Sequence, residues 1–201
     1  MFGGTLGYVS GVEILVDVAR LLRERRDMLI VCIGEGIRKR QMIEQCRSLG
    51  LENIRFLPFQ PRQRIAEVQG AANVTVLTMR PGYSDASIPS KLISYFASGR
   101  PVVCAAPSGS AVSRIVSQSG AGVVVEPGDP AALARALSNL FLCPAETEQM
   151  GRAARAYFER HFTLDRAHAQ FSAVLEESSK SNGAERLSSV VPTASAKQGR
   201  A

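Results

Sequence analysis

The stretch that decides the fold runs from Tyr83 to Ala106 and reads YSDASIPSKLISYFASGRPVVCAA. It predicts a loop, a short helix and a buried strand in quick succession. Ser87 is the predicted N-cap of the helix, and Pro89 falls in its first turn, where a missing N–H costs nothing. Gly99 ends the helix in a left-handed conformation, and the apolar run that follows forms the strand.

Lys91 falls in the first turn of this predicted helix. The unpaired N–H groups and the positive dipole end of a helix start attract anions. Two interpretations therefore stand at this point. Either the helix start binds a phosphate through its backbone and Lys91, or it is a capped structural helix whose lysine is merely solvated.

On both sides of this stretch the chain alternates between apolar runs typical of buried strands and helical spacing of apolar residues. We predict strands at 28–33, 53–57, 74–78, 101–105 and 122–125, and helices at 11–25, 37–48, 110–117, 131–142, 147–160 and 163–177. Asp129 is the predicted N-cap of the helix at 131–142, with Pro130 at its first position. This order predicts an α/β fold with a doubly wound, parallel, Rossmann-like sheet. Ligands of such sheets bind at the carboxyl ends of the strands.

Residues 1–177 form the predicted folded domain, and the Ser-, Ala-, Gly- and Lys-rich segment 178–201 is a predicted disordered tail. The start of the chain has no signal-peptide pattern, and no apolar run reaches the ~20 residues of a membrane span. The four cysteines form no CxxC pair, which favours reduced thiols and argues against a metal site.

The formal net charge of +6 is compatible with nucleic acid, an anionic membrane or phosphorylated small molecules. Nucleic-acid binding would need a basic stripe interleaved with aromatic residues, and aromatics are only 6% of the chain. A dinucleotide fingerprint fails as well, because Gly34 and Gly36 are followed by Lys39 where the third glycine belongs. Walker A and G-x-S-x-G motifs are absent, and His161 and His168 fall on late helices.

Glycines and polar residues recur in the loops after the predicted strands, at 3–5, 34–36, 58–59, 84–91 and 126–127. In a doubly wound sheet these loops gather on one rim, where glycines let the backbone approach a ligand closely. The composite suggests a pocket for a nucleotide or a nucleotide sugar. The alternative is that each glycine only forms a tight turn.

Several segments, in this order, resemble the C-terminal, donor-binding half of family-4 glycosyltransferases of the GT-B fold. They are GTLGYVSGVE, IGEG, IRFLPFQP, IPSKLISYFASGRPVV, EPGDPAALA and MGRAAR. The bacterial branch that builds colanic acid, O-antigen and capsular polysaccharides is the most similar. The resemblance spans roughly residues 2–177 and implies transfer of a sugar from a nucleotide diphosphate donor, usually with retention and without a required metal or other cofactor.

The resemblance also implies site residues, although it leaves the catalytic group unassigned. The backbone of Gly4 and Thr5, with the glycine loop at Gly34, would approach the donor phosphates, and Phe59 lies in the region that contacts the base. The helix start would hold the diphosphate through Pro89, Ser90 and Lys91, and Ser94 would bond the ribose. Many relatives carry charged side chains where this chain has Thr5, Ser10, Ala86 and Ser94.

A GT-B enzyme has a second, N-terminal domain that provides the acceptor site and a catalytic group. The resemblance therefore implies a fragment, or one subunit of a split enzyme, that is inactive without its partner. It favours a uridine diphosphate sugar over a guanosine one, a saccharide or lipid-linked acceptor, and a cytoplasmic location that allows association with the inner face of the membrane. The alternative is a non-catalytic nucleotide- or partner-binding module that kept the fold.

Overall fold

The computed structural model describes residues 1–82 and 88–188, with the side chains of 179–188 excepted. The chain divides into two compact units, Met1–Arg160 and His161–Ala201. The first unit contains all the strands of the described residues, and these are β1 Phe2–Gly3, β2 Ile30–Ile33, β3 Ile54–Leu57, β4 Thr75–Thr78, β5 Val102–Ala105 and β6 Gly122–Val125.

The strands pair in parallel as two ladders, β1-β2-β3 and β4-β5-β6. Met1 joins the two ladders. Its ammonium donates to the carbonyl of Val74 at 2.7 Å, and the N–H of Val76 donates to the carbonyl of Met1 at 2.8 Å. The sheet order is therefore 3-2-1-4-5-6, which confirms the predicted doubly wound sheet and places the reversal of strand order between β1 and β4.

The helices are α1 Ile14–Leu21, α2 Lys39–Ser48, α3 Ile65–Gly70, α4 Ser90–Ala97, α5 Ala111–Ser119, α6 Pro130–Leu142, α7 Pro144–His161 and α8 Leu164–Ser188, with a short 3-10 turn at Arg62–Arg64. Apolar side chains of α1, α2 and α6 form the main core with alternate residues of the strands, among them Phe2, Cys32 and Val103. This alternation fixes the register, because a slip of one residue would turn those side chains to the other face.

Local signals placed several helix ends correctly. Gly99 has φ 65° just after α4 and so ends the helix in the left-handed conformation. The carboxylate of Asp129 accepts a hydrogen bond of 2.8 Å from the N–H of Ala132, and Pro130 is the first residue of α6. The first helix was predicted at 11–25, which is too long, because α1 spans only Ile14–Leu21.

Two expectations need correction. Pro89 is the N-cap of α4 rather than a residue of its first turn, because its backbone is still extended, with φ −60° and ψ 129°. The tail predicted to be disordered from Ser178 begins as helix, since α8 continues to Ser188. Lysine, alanine, glutamate and leucine in this segment favour a helix, and no proline interrupts it before Pro192. Residues 189–201 and the predicted N-cap Ser87 lie outside the described residues.

Candidate functional site

The side chain of Lys91 lies at the carboxyl edge of the sheet, beside the loop that follows β1. A β-carbon built on Gly4 would lie 2.9 Å from Lys91 Cε and 3.0 Å from Nζ. The same Nζ lies 3.7 Å from the centroid of the Phe2 ring. Since β1 and β4 flank the point where the strand order reverses, Lys91 reaches the position where doubly wound sheets bind ligands.

The start of α4 provides further donors beside this lysine. The N–H of Leu92 is bonded to the carbonyl of Pro89 at 2.9 Å, whereas those of Ser90 and Lys91 have no backbone partner in the part of the chain that the structure describes. Ser90 is exposed. Two backbone donors and a cation therefore point out of the same helix turn, which is the chemistry that an anion requires.

Burial changes the electrostatics of Lys91. Removal from water lowers the pKa of its ammonium from 10.5 to about 8. No carboxylate among the described residues lies within ion-pair distance of it. A partly buried cation without a counter-ion is stabilised by any anion that enters the crevice.

The loops after β1 and β2 are held together through their backbones. The N–H of Gly4 donates to the carbonyl of Ile33 and that of Leu6 to the carbonyl of Glu35, both at 2.8 Å. Gly34 has φ 148°, and a β-carbon on it would lie 1.9 Å from the carbonyl oxygen of Gly4. The glycine at position 34 is therefore required by the contact between the two loops, and its contact with a donor stays a prediction.

Phe59 extends this arrangement to β3. Its side chain is 55% exposed, and its Cε1 atom would lie 3.4 Å from a β-carbon on Gly34. Phe59, Gly34, Gly4 and Lys91 thus form a row across the carboxyl ends of β3, β2 and β1 and the start of α4. Thr5 follows in the same loop with its side chain exposed to solvent.

Ser94 lies one turn along α4 from Ser90 and already has a side-chain partner. Its hydroxyl donates to the side-chain oxygen of Gln69, on α3, at 2.8 Å. The oxygen lone pairs of Ser94 can still accept a hydrogen bond, but the structure does not bring Ser94 into the row at the strand ends. Ala86, the other position where relatives carry a glutamate, lies outside the described residues.

Two polar side chains that tie loops and helices together near the ends of β1 and β4 were missed by the sequence-based assignment. Tyr95 is fully buried, and its hydroxyl accepts a hydrogen bond of 2.9 Å from the N–H of Gly3. Arg80, just after β4, pairs with Glu13 and donates from Nε to the carbonyl of Tyr8 at 2.7 Å. Spacing could have indicated Tyr95, which follows Lys91 by four residues and so shares its helix face.

A comparison with protein families gives the decisive match. The model described as "Glycosyl transferases group 1" matches residues 1–157. The chain belongs to the group 1 glycosyl transferases.

Relatives in the group 1 family include the putative colanic acid biosynthesis glycosyl transferase WcaI of Escherichia coli. That protein is 26% identical over 167 residues, which are 83% of this chain and 39% of WcaI. The likeness to a colanic acid enzyme agrees with the predicted resemblance to the bacterial polysaccharide branch.

Solved structures of group 1 proteins and their neighbours share the fold. Anabaena HepE, in complex with UDP and glucose, is 20% identical with a TM-score of 0.73, over 88% of this chain and 48% of that one. The C-terminal domain of the group 1 protein LpcC from Francisella tularensis is 19% identical with a TM-score of 0.65, over 81% of this chain and 86% of that domain. These matches confirm the GT-B type of α/β fold.

The chain spans about two fifths of the length of the curated group 1 relatives that head the comparison. Within its described residues, no cluster of three or more His, Cys, Asp or Glu side chains is arranged to hold a metal ion. None of the helices in the described ranges combines the length and apolar character that a membrane span requires.

Proposed function

We propose that this chain is the donor-binding half of a glycosyltransferase that uses a nucleotide diphosphate sugar. The row of Phe59, Gly34, Gly4 and Lys91 is the observation that supports it. Four residues from four separate elements adjoin one another at the edge where a doubly wound sheet binds its ligand.

In this proposal the diphosphate binds at the start of α4. Lys91 Nζ supplies the positive charge, and the backbone N–H groups of Ser90 and Lys91 supply two hydrogen bonds. Because Gly4 has no side chain, the phosphates would approach the backbone of this loop closely. Thr5 and Ser10 bring no charge, so Lys91 is the main cation that this chain contributes to the diphosphate.

The base would stack on or beside the exposed ring of Phe59, at the far end of the row. We propose a uridine diphosphate sugar, because HepE was crystallised with UDP and with UDP-glucose and has the same fold. Ser94 would accept a hydrogen bond from a ribose hydroxyl while its own hydroxyl continues to donate to Gln69. A serine binds that hydroxyl less strongly than a carboxylate would.

The acceptor and a catalytic group would come from a second, N-terminal GT-B domain, on the same polypeptide or a partner chain. The match to the isolated C-terminal domain of LpcC supports this division. The acceptor would be a saccharide or a lipid-linked saccharide, as the likeness to WcaI suggests. An enzyme with such an acceptor would work in the cytoplasm, with access to the inner face of the membrane. We propose that donor binding at this half needs no metal ion.

Calorimetric titration of the purified chain with UDP and GDP tests the proposal. We expect UDP to bind more tightly than GDP, and Lys91→Ala to weaken UDP binding by about tenfold or more, as loss of a charge-assisted contact does. Arg40→Ala is the matched control, since Arg40 is an exposed cation on α2 paired with Glu44. Equal UDP affinity of wild type and Lys91→Ala would exclude the proposed diphosphate site.

A second candidate function is a nucleotide-binding module without catalysis. The uncharged side chain of Ser94, already bonded to Gln69, favours it, because the carboxylate that relatives carry there is absent. The two candidates differ when the chain is combined with a complementing N-terminal domain. Sugar transfer or donor hydrolysis by the combination supports the enzyme, whereas UDP binding without turnover supports the module.

A further inference from the structure

The ammonium of Lys39 lies between the loops that follow β2 and β3. Its Nζ atom donates to the carbonyl of Gly34 at 3.0 Å, to the carboxylate of Glu35 at 2.6 Å and to the carbonyl of Leu57 at 3.4 Å. The side chain is only 16% exposed, although Lys39 is the first residue of α2. Lys39 therefore joins three segments of the chain at the carboxyl edge of the sheet, which is also the edge of the candidate donor site.

These bonds use the whole donor capacity of the Lys39 side chain. A lysine ammonium has three N–H donors, and the structure gives this one three acceptors. Its charge is balanced as well, because the carboxylate of Glu35 forms an ion pair with it. Lys39 is therefore not a second phosphate ligand, and it acts on the site through the groups that it holds.

The carbonyl of Gly34 depends on this lysine. Gly34 is buried, and its carbonyl accepts from no backbone N–H within residues 1–82 and 88–188. A β-carbon on Gly34 would lie 3.4 Å from Cε1 of Phe59, so the loop that Lys39 holds is the one beside this ring. Loss of the ammonium would leave a buried carbonyl unpaired, which favours a rearrangement of the loop.

The carbonyl of Leu57 transmits the constraint to Phe59. It accepts from the N–H of Gly34 at 3.0 Å as well as from Lys39. Two donors therefore fix the peptide group that joins Leu57 to Pro58. Because the proline ring fixes its own φ angle, few backbone rotations separate this peptide group from the side chain of Phe59.

The ring of Phe59 needs such support for stacking. It is 55% exposed, and exposed side chains change rotamer within nanoseconds. Ordering a side chain or a loop during binding reduces the affinity. A ring whose backbone is already held in place therefore binds a base more tightly than the same ring on a loose loop.

We propose that Lys39 is a positioning residue for the nucleotide base. It holds Phe59 in the orientation that stacks on the base, through its bonds to Gly34 and Leu57 and without touching the nucleotide. This inference rests on the proposed donor function, because the base belongs to the bound donor. Lys39 stands where a dinucleotide fingerprint has its third glycine, so the departure from that motif has a role in this chain.

The first test of the Lys39 role needs no nucleotide. The chain contains no tryptophan, so Phe59→Trp places a single fluorescent reporter on the loop after β3. Adding Lys39→Met should raise the share of the anisotropy that is lost to nanosecond motion by about twofold, because loops move on this timescale once they are released. An unchanged anisotropy decay would overturn the proposal.

The second test compares UDP with inorganic pyrophosphate in calorimetric titrations. Lys39→Met should weaken UDP binding by about tenfold, the loss expected when a stacked base is no longer held. It should leave pyrophosphate binding unchanged, whereas Lys91→Ala should weaken the binding of both ligands. If Lys39→Met weakens both ligands equally, or neither, Lys39 does not act on the base.

Two further variants separate the carbonyl bonds from the ion pair. Arg40→Met is the matched control, because Arg40 also pairs with a glutamate four positions away, Glu44, but is 91% exposed. It should change neither the anisotropy nor the UDP affinity. Glu35→Gln removes the charge of the pair but keeps the two carbonyl bonds, so it should weaken UDP binding by less than about twofold. A loss as large as that of Lys39→Met would contradict the role of the carbonyl bonds.

Failure of the donor function and failure of the Lys39 role give different results. If the wild type binds no UDP, the donor function is wrong, and the anisotropy decay still decides whether Lys39 holds Phe59. If UDP binds and depends on Lys91 but not on Lys39, only the Lys39 role is wrong. Should Lys39→Met not fold, as judged by circular dichroism, Lys39→Gln replaces it in both tests.

Discussion

The hydroxyl of Tyr95 accepts a hydrogen bond of 2.9 Å from the N–H of Gly3, at the end of β1. Tyr95 follows Lys91 by one helical turn, so this bond fixes the distance between α4 and the loop that Lys91 contacts. The buried side chain of Tyr95 therefore couples the position of Lys91, the conformation of the loop after β1 and the pairing of β1.

Tyr95→Phe should lower the free energy of unfolding by about 1–3 kcal/mol, because it leaves the Gly3 N–H without its buried partner. Urea unfolding of both proteins measures the difference. It should also weaken UDP binding, since α4 is no longer tied to the loop after β1. A change in stability below about 0.5 kcal/mol would mean that water replaces the hydroxyl and the bond does not hold the loop.

Gly34→Ala should destabilise the domain by about 3 kcal/mol or more, because the new β-carbon would lie 1.9 Å from the Gly4 carbonyl oxygen. Gly50→Ala is the matched control. Gly50 also has positive φ, 62°, but no atom lies within 4 Å of its β-carbon position. Gly50→Ala should lower the free energy of unfolding by only about 1–2 kcal/mol, because alanine is strained in the left-handed conformation. If thermal or urea unfolding shows that the two substitutions lower the free energy of unfolding equally, the loops after β1 and β2 separate easily.

The lowered pKa of Lys91 predicts a pH dependence of stability. A lysine whose pKa is about 8 in the folded chain and 10.5 when unfolded binds fewer protons when folded, so between these values its contribution to stability rises with pH. Lys91→Met removes this contribution. We expect the variant to be more stable than wild type at pH 7, and the difference to shrink by about 2–3 kcal/mol by pH 10. A constant difference across this range would indicate a solvated lysine.

The proposed ribose contact can be tested with two serines of one helix. Ser94→Ala should weaken UDP binding by about two- to fivefold, the loss expected for one hydrogen bond between uncharged groups. Ser98→Ala is the control, because the Ser98 hydroxyl bonds the carbonyl of Tyr95 within α4. Equal UDP affinity of Ser94→Ala and wild type would show that Ser94 bonds Gln69 and does not bond the ribose.

The sequence predicted those parts of the fold that short segments determine. Gly99, Asp129 and Pro130 act on their own helix ends, and each lies where the pattern predicted it. The doubly wound, parallel type of sheet followed from the alternation of strands and helices. The start of α4 was predicted too early, because the sequence does not distinguish an extended Pro89 from a proline in the first helical turn.

The candidate site was predicted less completely, because its contacts join segments far apart in the chain. Gly34 was assigned to ligand approach, but its neighbour is Gly4, in a different loop. The pairing of Arg80 with Glu13 spans 67 positions and leaves no local pattern. Periodicity identifies which face of an element is buried, but it does not identify which polar groups meet at the ends of strands.

The most direct test of the central claim is the UDP affinity of wild type and Lys91→Met, measured by calorimetry at pH 7 and pH 9.5. If Lys91 binds the diphosphate as its ammonium, wild-type affinity should fall by about tenfold between these pH values, because the free group titrates near pH 8. The variant should bind weakly at both, with no such fall. Equal affinities of wild type and Lys91→Met at pH 7 would contradict the account.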